Sequence, residues 1–381
     1  MEDQYPRYSL ALLGDFSADT ADAIESVIAE KIEALGLEFG EDVTLYRGSA
    51  RGFNPRIDRC CAALCARIDP SDEGVIERLM YREVPIIPVA RTRESFAAEF
   101  PGDLGVLNGL PLTDGPALLA HSLLEASSLV PRQRRVFLSY RRIESTEAAL
   151  QLYAALCARQ YEVFLDTHGI LPGEHFQEVL WQRLSDSDVL VYLDTPGYFE
   201  SRWTDLEFNK ASLRNIGMLR VGWPKVAPRH TRLISGEVQL AEADFLENGN
   251  IGDSALATIL NTIEFCRTKS VAQRYADIIH KVTCSVEAAG GRIIGRSSRR
   301  GLVVSIRDQV IVVYPELRVP TSESLYEATL EDHLPPVAVV YNEEGIEERK
   351  WVAHMSWLTA RVKKHVRLVK ANASGNTLLD W

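Results

Sequence analysis

Apolar residues in this chain form short continuous runs, separated by longer stretches in which they recur at helical spacing. In the first 112 residues, the runs SLALLG, DVTLYRG and VPIIPVA predict buried strands. The stretches from Ala18 to Leu35 and from Asp72 to Arg82 predict helices between them. Strands that alternate with helices indicate a parallel sheet, so we expect a Rossmann-like α/β domain over residues 1–130.

The same alternation returns after a connecting stretch, and it is denser there. VFLSY, YEVFLD, DVLVYL and MLRVGWP predict four strands, with helices expected over residues 145–159 and 174–184 and another opening after Thr195. Four such alternations within ninety residues favour a flavodoxin-like, doubly wound parallel sheet. We place this second domain at residues 134–268 and expect the segment from Arg134 to Cys266 to fold by itself.

The pattern changes again in the last third of the chain. Two helices are predicted, over residues 254–266 and 271–289, and the runs GLVVSI and QVIVVYPEL then predict strands paired across an Arg-Asp-Gln turn. PPVAVVY predicts one more strand, and a helix follows with its apolar residues in one stripe: Trp351, Met355, Leu358 and Val362. We expect a smaller α+β domain over residues 270–381.

Charge and hydropathy narrow the class of protein. Lys and Arg number 42 against 53 Asp and Glu, and the net charge of −11 argues against general binding to nucleic acid or to an anionic membrane. The chain contains no run of about 20 apolar residues, and its start lacks the features of a signal peptide. These features favour a cytoplasmic location.

The six cysteines do not form a disulfide framework, which also fits a reducing compartment. Cys60, Cys61 and Cys65 form a local group without a matching pair of histidines. Packing of these thiols on the apolar face of a helix is favoured over metal ligation, and we expect no metal site.

Polar and aromatic side chains follow three strands of the second domain. Ser139, Tyr140, Arg141 and Arg142 follow the first strand, and Asp166 follows the second. Trp203 and Glu207 follow the third, four residues apart and therefore on one face of the helix predicted there. Ligands of open α/β sheets bind beyond the carboxyl ends of the strands, where arginines take phosphates and aromatic rings stack on bases. A surface role for Glu207 and a core role for Trp203 remain open from these residues alone.

The blocks FLSYRR, DTHGILPGE and SRWTDLE, in this order and spacing, resemble those of a Toll/interleukin-1 receptor (TIR) domain. The resemblance covers about Arg134 to Phe265. It includes the Trp-x-x-x-Glu pair of the TIR enzymes that cleave NAD+, although Thr204 stands where the bacterial proteins more often have cysteine.

The resemblance implies a function and a set of site residues. NAD+ would be the substrate and no cofactor would be needed; Glu207 would be catalytic, with substrate-binding roles for Ser139, Tyr140, Arg141, Arg142, Asp166 and Trp203. DTHGILPGE resembles the loop through which TIR domains self-associate, with Ile170, Leu171 and Gly173 as its contact residues. Products would be nicotinamide with ADP-ribose or a cyclic isomer, in prokaryotic anti-phage defence. The alternative is a non-catalytic TIR scaffold that signals by homotypic assembly.

The flanking domains carry weaker signals. The stretch from Gly14 to Asp19 fits either an anion site or ordinary helix capping by Ser17, and capping is favoured. Near the carboxyl terminus, Arg361, Lys363, Lys364, Arg367 and Lys370 form a basic patch that is typical of a solvated helix end. We expect one flank to sense a trigger or bind a partner protein and the other to support assembly.

Overall fold

The chain divides into two compact units, Met1–Arg132 and Gln133–Trp381. The structure is a computed structural model and describes residues 8–55, 60–130, 133–165, 176–200, 208, 211–212, 214–229, 232–297, 301–330, 336–344, 346, 349–362 and 366–381. No helix within these ranges is both long enough and apolar enough to cross a bilayer.

The first unit is built on a five-stranded parallel sheet. Its strands are β1 (Tyr8–Leu13), β2 (Val43–Gly48), β3 (Cys60–Cys65), β4 (Ile86–Ala90) and β5 (Leu110–Pro111). They lie in the order β2-β1-β3-β4-β5. The helices are α1 (Ala18–Ala34), α2 (Glu73–Tyr81), α3 (Phe96–Glu99) and α4 (Pro116–Ala126). This is the flavodoxin-like order, and the α/β class expected from the sequence is confirmed.

Helix α1 begins with an ordinary cap, as expected from the sequence. The Ser17 hydroxyl oxygen accepts a hydrogen bond from the backbone N–H of Thr20 at 3.2 Å, which satisfies one of the otherwise unpaired amides of the first turn.

The cysteine-rich run, which was ambiguous from the sequence and for which packing on a helix was favoured over metal ligation, is a strand. Cys60–Cys65 is β3, which lies between β1 and β4 and has Ala63 and Cys65 in the apolar core. A central strand of a parallel sheet is covered on both faces, so it is apolar throughout and cannot be told from a buried helix by periodicity. Burial raises the pKa of the Cys61 thiol to about 11 and that of Cys65 to about 12.

The second unit begins with another five-stranded parallel sheet. Its strands are β6 (Arg134–Ser139), β7 (Tyr161–Leu165), β8 (Val189–Asp194), β9 (Gly217–Gly222) and β10 (Gly236–Gln239), in the order β10-β9-β8-β6-β7. Numbered from its own first strand this is again 2-1-3-4-5, so the predicted flavodoxin-like sheet is confirmed. Helices α5 (Arg142–Ala158) and α6 (Phe176–Asp186) belong to it. The short edge strand β10 was not predicted.

One long helix, α7 (Asp253–Ala288), replaces the two helices expected over 254–266 and 271–289. The polar stretch between them, residues 267–270, suggested a break, but Arg267, Thr268 and Ser270 are buried and hydrogen-bonded. Arg267 binds Asp188, and the Ser270 hydroxyl donates to the Asn215 carbonyl at 3.1 Å. The helix therefore runs without interruption through the boundary placed at residues 268–270.

The third sheet is mixed, and α7 leads into it. Its strands, in order across the sheet, are β11 (Arg292–Arg296), β12 (Leu302–Ile306), β13 (Gln309–Glu316), β14 (Val337–Tyr341) and β15 (Val366–Lys370). Helices α8 (Ser322–Leu330), α9 (Arg349–Val362) and α10 (Ser374–Leu379) accompany it. The predicted β12–β13 hairpin is confirmed: Arg307 and Asp308 both have positive φ, as a tight two-residue hairpin turn requires. Strands β11 and β15 were not predicted.

A buried group of charges joins the two sheets of the second unit. Asp188, at the start of β8, accepts hydrogen bonds from Arg267 Nε at 2.9 Å and from Arg318 Nη2 at 2.7 Å. Arg274 Nη1 lies 3.9 Å from the same carboxylate. We call these four residues the Asp188 cluster. It connects β8 to α7 and to the chain that follows β13.

Candidate functional site

The strand order of the second unit reverses between β6 and β8, so their carboxyl ends border a crevice. Ser139 is the last residue of β6, and Asp194 is the last of β8. In doubly wound sheets, ligands bind at this point because the connections leave it in opposite directions. The side chains that follow these two strands therefore define the candidate site.

The Ser139 hydroxyl forms a hydrogen bond with a side chain across this crevice. Its oxygen accepts a hydrogen bond from the Tyr198 hydroxyl at 2.8 Å, and both side chains are buried. The contact fixes the loop after β8 to the end of β6. Ser139 therefore shapes the site through Tyr198.

Arg141 organises the loops that face the crevice. Its Nη1 donates to Glu144 Oε1 at 2.9 Å, and its Nη2 lies 2.8 Å from Glu200 Oε2. The Gly197 N–H donates to Glu144 Oε2 at 3.1 Å. Burial opposes ionisation of Glu144, but hydrogen bonds from Thr195 and Gly197 and the charge of Arg141 hold its pKa below the usual value. The start of α5 and the loop after β8 are thus one connected network.

A side chain does not fit at Gly197, because the Arg141 guanidinium lies against its Cα. A Cβ at this position would be 1.2 Å from Arg141 Nη1 and 2.7 Å from Glu144 Oε1. The network requires glycine for space rather than for backbone freedom.

An aromatic group packs beneath this network. The Tyr192 ring stacks on Tyr198 at 5.5 Å between centroids and meets Phe208 edge-on at 4.6 Å. Phe199 is 5.5 Å from Phe208. Phe208 is fully buried, and Ala211, three residues further on, is buried as well. The chain is therefore anchored against β8 at the residue directly after Glu207.

A buried ion pair closes the carboxyl end of β8. Arg220 of β9 is fully enclosed, and its Nε donates to Asp194 Oδ2 at 2.5 Å. Its Nη1 donates to Glu237 and Gln239 of β10, each at 2.7 Å. Burial raises the pKa of Asp194, and Arg220 counteracts that effect. Through these contacts Arg220 connects three neighbouring strands, β8, β9 and β10.

The predicted site residues fall into three groups. Ser139 and Arg141 meet in the crevice through Tyr198 and Glu144. The Tyr140 ring lies in the apolar core, and Arg142 is exposed in the first turn of α5. The remaining predicted site and loop residues lie outside the described part of the chain: Asp166, Ile170, Leu171, Gly173, Trp203 and Glu207.

The residues that hold the carboxyl-terminal edge of this sheet together were not predicted from the sequence. A charged residue within an apolar strand was a usable signal, because Asp194 ends one such run and Arg220 interrupts another. Glu144, Gly197 and Tyr198 had no comparable signal, since their roles depend on partners more than fifty residues away or on close approach.

Residues 136–246 match the family model of the TIR domain. This part of the chain is a TIR domain. The match starts inside β6 and ends beyond β10, so the TIR domain coincides with the second parallel sheet and contains the crevice.

Two further comparisons with known proteins give no information about the TIR crevice. A search of curated proteins gives no match. A crystal structure described as a two-component response regulator/GGDEF-domain protein aligns with 67% of this chain and 99% of its own, at 13% identity and a TM-score of 0.28. A superposition of this quality supports no inference about the site.

Proposed function

We propose that the TIR domain of this chain cleaves NAD+, releasing nicotinamide and either ADP-ribose or a cyclic isomer, with Glu207 as the catalytic carboxylate. The main support is that Glu207 is covalently next to Phe208, whose ring is anchored against β8 at the carboxyl end of the sheet. In a bacterial cell, loss of NAD+ would serve anti-phage defence, as the resemblance implies.

The chemistry requires one carboxylate rather than two. Nicotinamide carries a positive charge while bound to ribose and leaves as a neutral molecule, so its departure needs no general acid. An ordinary glycoside differs, since its leaving oxygen must be protonated. The ribose becomes an oxocarbenium-like cation in the transition state, and a fixed negative charge beside it lowers the barrier. Glu207 would supply that charge.

Arg141 is suited to hold the pyrophosphate of the substrate. Its side chain is 32% exposed, and one of its two carboxylate partners, Glu200, is 70% exposed. A phosphate group could replace Glu200 on Nη2 while Glu144 keeps the guanidinium in place. We assign stacking on a substrate ring to Trp203, because the Tyr140 ring is enclosed in the core.

The test is nicotinamide release from the purified full chain, measured by chromatography at high protein concentration. We expect Glu207→Gln to lower the rate by about 10²–10³-fold, since it removes one electrostatic contact made in the transition state. The matched control is Glu247→Gln, which changes an exposed glutamate of the same unit. Near-normal turnover by a folded Glu207→Gln protein would refute the assignment.

Self-association is the proposed means of activation, and α5 offers support outside the predicted loop. Ile143 is 88% exposed, and Leu150 and Tyr153 are partly exposed one turn apart on the same helix. Exposed apolar residues grouped on one element often mark a contact surface. We propose that a second copy of the TIR domain covers this surface together with Ile170, Leu171 and Gly173.

We expect the double change Ile143→Asp and Leu150→Asp to reduce both self-association and NAD+ cleavage, since it adds two like charges to the surface. Light scattering and nicotinamide release over a hundredfold dilution measure the two effects. Val106→Asp changes an equally exposed residue of the first unit and serves as the control. Assembly without nicotinamide release at any concentration would favour the scaffold function instead.

A further inference from the structure

A cleft of about 890 Å³ opens in the first unit beside α2, beyond the carboxyl ends of β3 and β4. It exists because the connection from β4 to β5 contains only the four-residue helix α3 and a short 3₁₀ turn, Asp103–Val106. A full-length helix at this place would cover the sheet, whereas the short connection leaves the space next to α2 open.

The floor of the cleft is apolar. Ile76, Phe100 and Leu104 are buried in the core of the unit, and Met80 and Ile68 pack against them. The volume falls in the range of small-molecule pockets, about 300–1,000 Å³. Such a floor accommodates a planar ring better than a hydrated ion.

Arg91, the first residue after β4, presents an open guanidinium fork at this cleft. Its Nε lies 3.3 Å from Glu99 Oε1, and its backbone N–H also donates to Glu99. Burial opposes ionisation of Glu99, but hydrogen bonds from Ser95 and Arg91 keep its pKa below the usual value. Glu99 thus orients the guanidinium through one edge, and neither terminal nitrogen has a partner among the described residues.

A second arginine lies at the neighbouring strand end. Arg67 lines the cleft after β3, and its carbonyl accepts from the Asp15 N–H at 2.9 Å, which fixes its backbone to the loop after β1. Its guanidinium forms no hydrogen bond or ion pair with any residue that the structure describes. Two arginines with free terminal nitrogens at adjacent strand ends are suited to bind a phosphate or carboxylate group.

Carboxylates on the opposite rim limit the kind of anion. Glu73 and Glu77 lie one turn apart on α2, both line the cleft, and within the described residues neither has an ion-pair partner. They would repel a small bare anion but accept hydrogen bonds from hydroxyl groups. A ligand with an anion at one end and hydroxyls in the middle satisfies both sides.

We propose that this cleft binds a nucleoside phosphate. The phosphate binds to Arg67 and Arg91, the ribose hydroxyls donate to Glu73 and Glu77, and the base lies on the floor formed by Ile76, Phe100 and Leu104. The first unit is then a ligand-binding domain with a site separate from the TIR domain. This inference rests on the first unit alone and does not depend on NAD+ cleavage.

The test is calorimetric titration of the full chain with AMP, adenosine and inorganic phosphate. We expect AMP to bind at least tenfold more tightly than either of the other probes, because only AMP uses both the arginines and the apolar floor. Arg91→Met should weaken AMP binding at least tenfold and leave adenosine binding unchanged. Arg91→Lys, which keeps the charge but loses the fork, should fall between them.

Two controls separate this site from the TIR crevice and from loss of fold. Arg78→Met changes an arginine of α2 that does not line the cleft and should bind AMP normally. Arg141→Met, which removes the proposed phosphate contact of the TIR crevice, should also bind AMP normally, whether or not it lowers NAD+ cleavage. No AMP binding at millimolar concentration, or equal binding by a folded Arg67→Met, Arg91→Met double variant, would overturn the proposal.

Discussion

The Asp188 carboxylate faces three buried guanidinium groups, so its charge stabilises the packing of more than one element. Arg318 and Arg267 donate to it directly, and Arg274 lies just beyond hydrogen-bond distance. Removing one member of a buried ion pair is costly because the partner charge stays in a medium of low polarity. Here one carboxylate faces three cations, and all four side chains are buried.

We expect Asp188→Asn to lower the free energy of unfolding of the second unit by about 3–5 kcal/mol, since the amide keeps the shape but not the charge. Urea denaturation followed by circular dichroism measures the loss. Asp308→Asn is the control: Asp308 is exposed in a hairpin turn that asparagine also tolerates, and a change within about 0.5 kcal/mol is expected. A loss at Asp188 as small as that of the control would contradict a shared counter-ion.

The same residue predicts a dependence on pH. Burial opposes ionisation of Asp188, but Arg318 and Arg267 outweigh it and hold the pKa of the carboxyl well below its usual range. A carboxyl with a depressed folded pKa stabilises the fold above its unfolded pKa, about 3.9, and that stabilisation is lost as pH falls toward the folded value.

The stability difference between the wild type and Asp188→Asn should therefore be constant from pH 7 to 5 and shrink below about pH 4. Unfolding titrations at pH 7, 5 and 3.5 measure it. A difference that stays the same at all three values would show that the carboxylate charge does not stabilise the fold.

Single residues were predictable from the sequence where the signal was local. The position of Ser139 and Arg141 at the carboxyl end of a strand needed no knowledge of distant chain, whereas the shared helix face of Trp203 and Glu207 stays a prediction. The pairing of Asp188 with Arg318 joins residues 130 positions apart, and no periodicity encodes it. The apolar setting of Tyr140 was equally hidden, because a tyrosine at a strand end fits a core or a cleft.

At the scale of elements, long apolar or amphipathic stretches were predicted correctly and short or charged ones were not. Strands such as β8 are fully buried and were evident from their apolar run, whereas β11 is an exposed edge strand with an arginine at each end. Helix α7 was split in two because Arg267, Thr268 and Ser270 read as a polar break. Their burial at the interface of two sheets explains both the polarity and the continuity.

The packing of α7 on the TIR sheet depends on a glycine of β10. A Cβ at Gly236 would lie 2.6 Å from Cys266 Sγ, and Cys266 is fully buried. We expect Gly236→Ala to destabilise the second unit and Cys266→Ala, added to it, to recover part of the loss by making room for the methyl group.

A double-mutant cycle by urea denaturation tests this contact, with an expected coupling of about 0.5–3 kcal/mol. The single change Cys266→Ala supplies the fourth corner and is itself expected to destabilise, since it leaves a cavity. Additive effects of the two changes would mean that α7 does not approach the sheet at this point.

At the scale of the whole molecule, two sheets share one strand order without a shared sequence motif. No internal repeat is evident in the sequence, yet both parallel sheets follow 2-1-3-4-5. The order follows from right-handed crossovers and from covering both faces of a parallel sheet, which many apolar sequences satisfy. The side chains at the carboxyl ends are what differ: Arg141 at the TIR crevice is ion-paired, whereas Arg67 and Arg91 at the cleft of the first unit have terminal nitrogens without a partner among the described residues.

The connection between the TIR domain and the third sheet changes the expectation for an isolated TIR domain. From the sequence, residues 134–266 were expected to fold alone. In the structure that fragment ends within α7 and lacks every arginine of the Asp188 cluster, so Asp188 loses all three of its buried cations. Arg214 would also lose its acceptors, the Asn342 and Glu344 carbonyls.

We therefore expect residues 134–266 to be unfolded or aggregated and residues 133–381, which keep α7 and the Asp188 cluster, to unfold cooperatively. Circular dichroism and urea denaturation of the two fragments measure this, and nicotinamide release from the longer one then shows what the first unit contributes to activity. If the first unit restrains the enzyme, the longer fragment will exceed the full chain at equal concentration; if it supports assembly, the fragment will be slower. A stable, cooperative fold for residues 134–266 would show that the TIR domain does not need the buried arginines supplied by α7 and the third sheet.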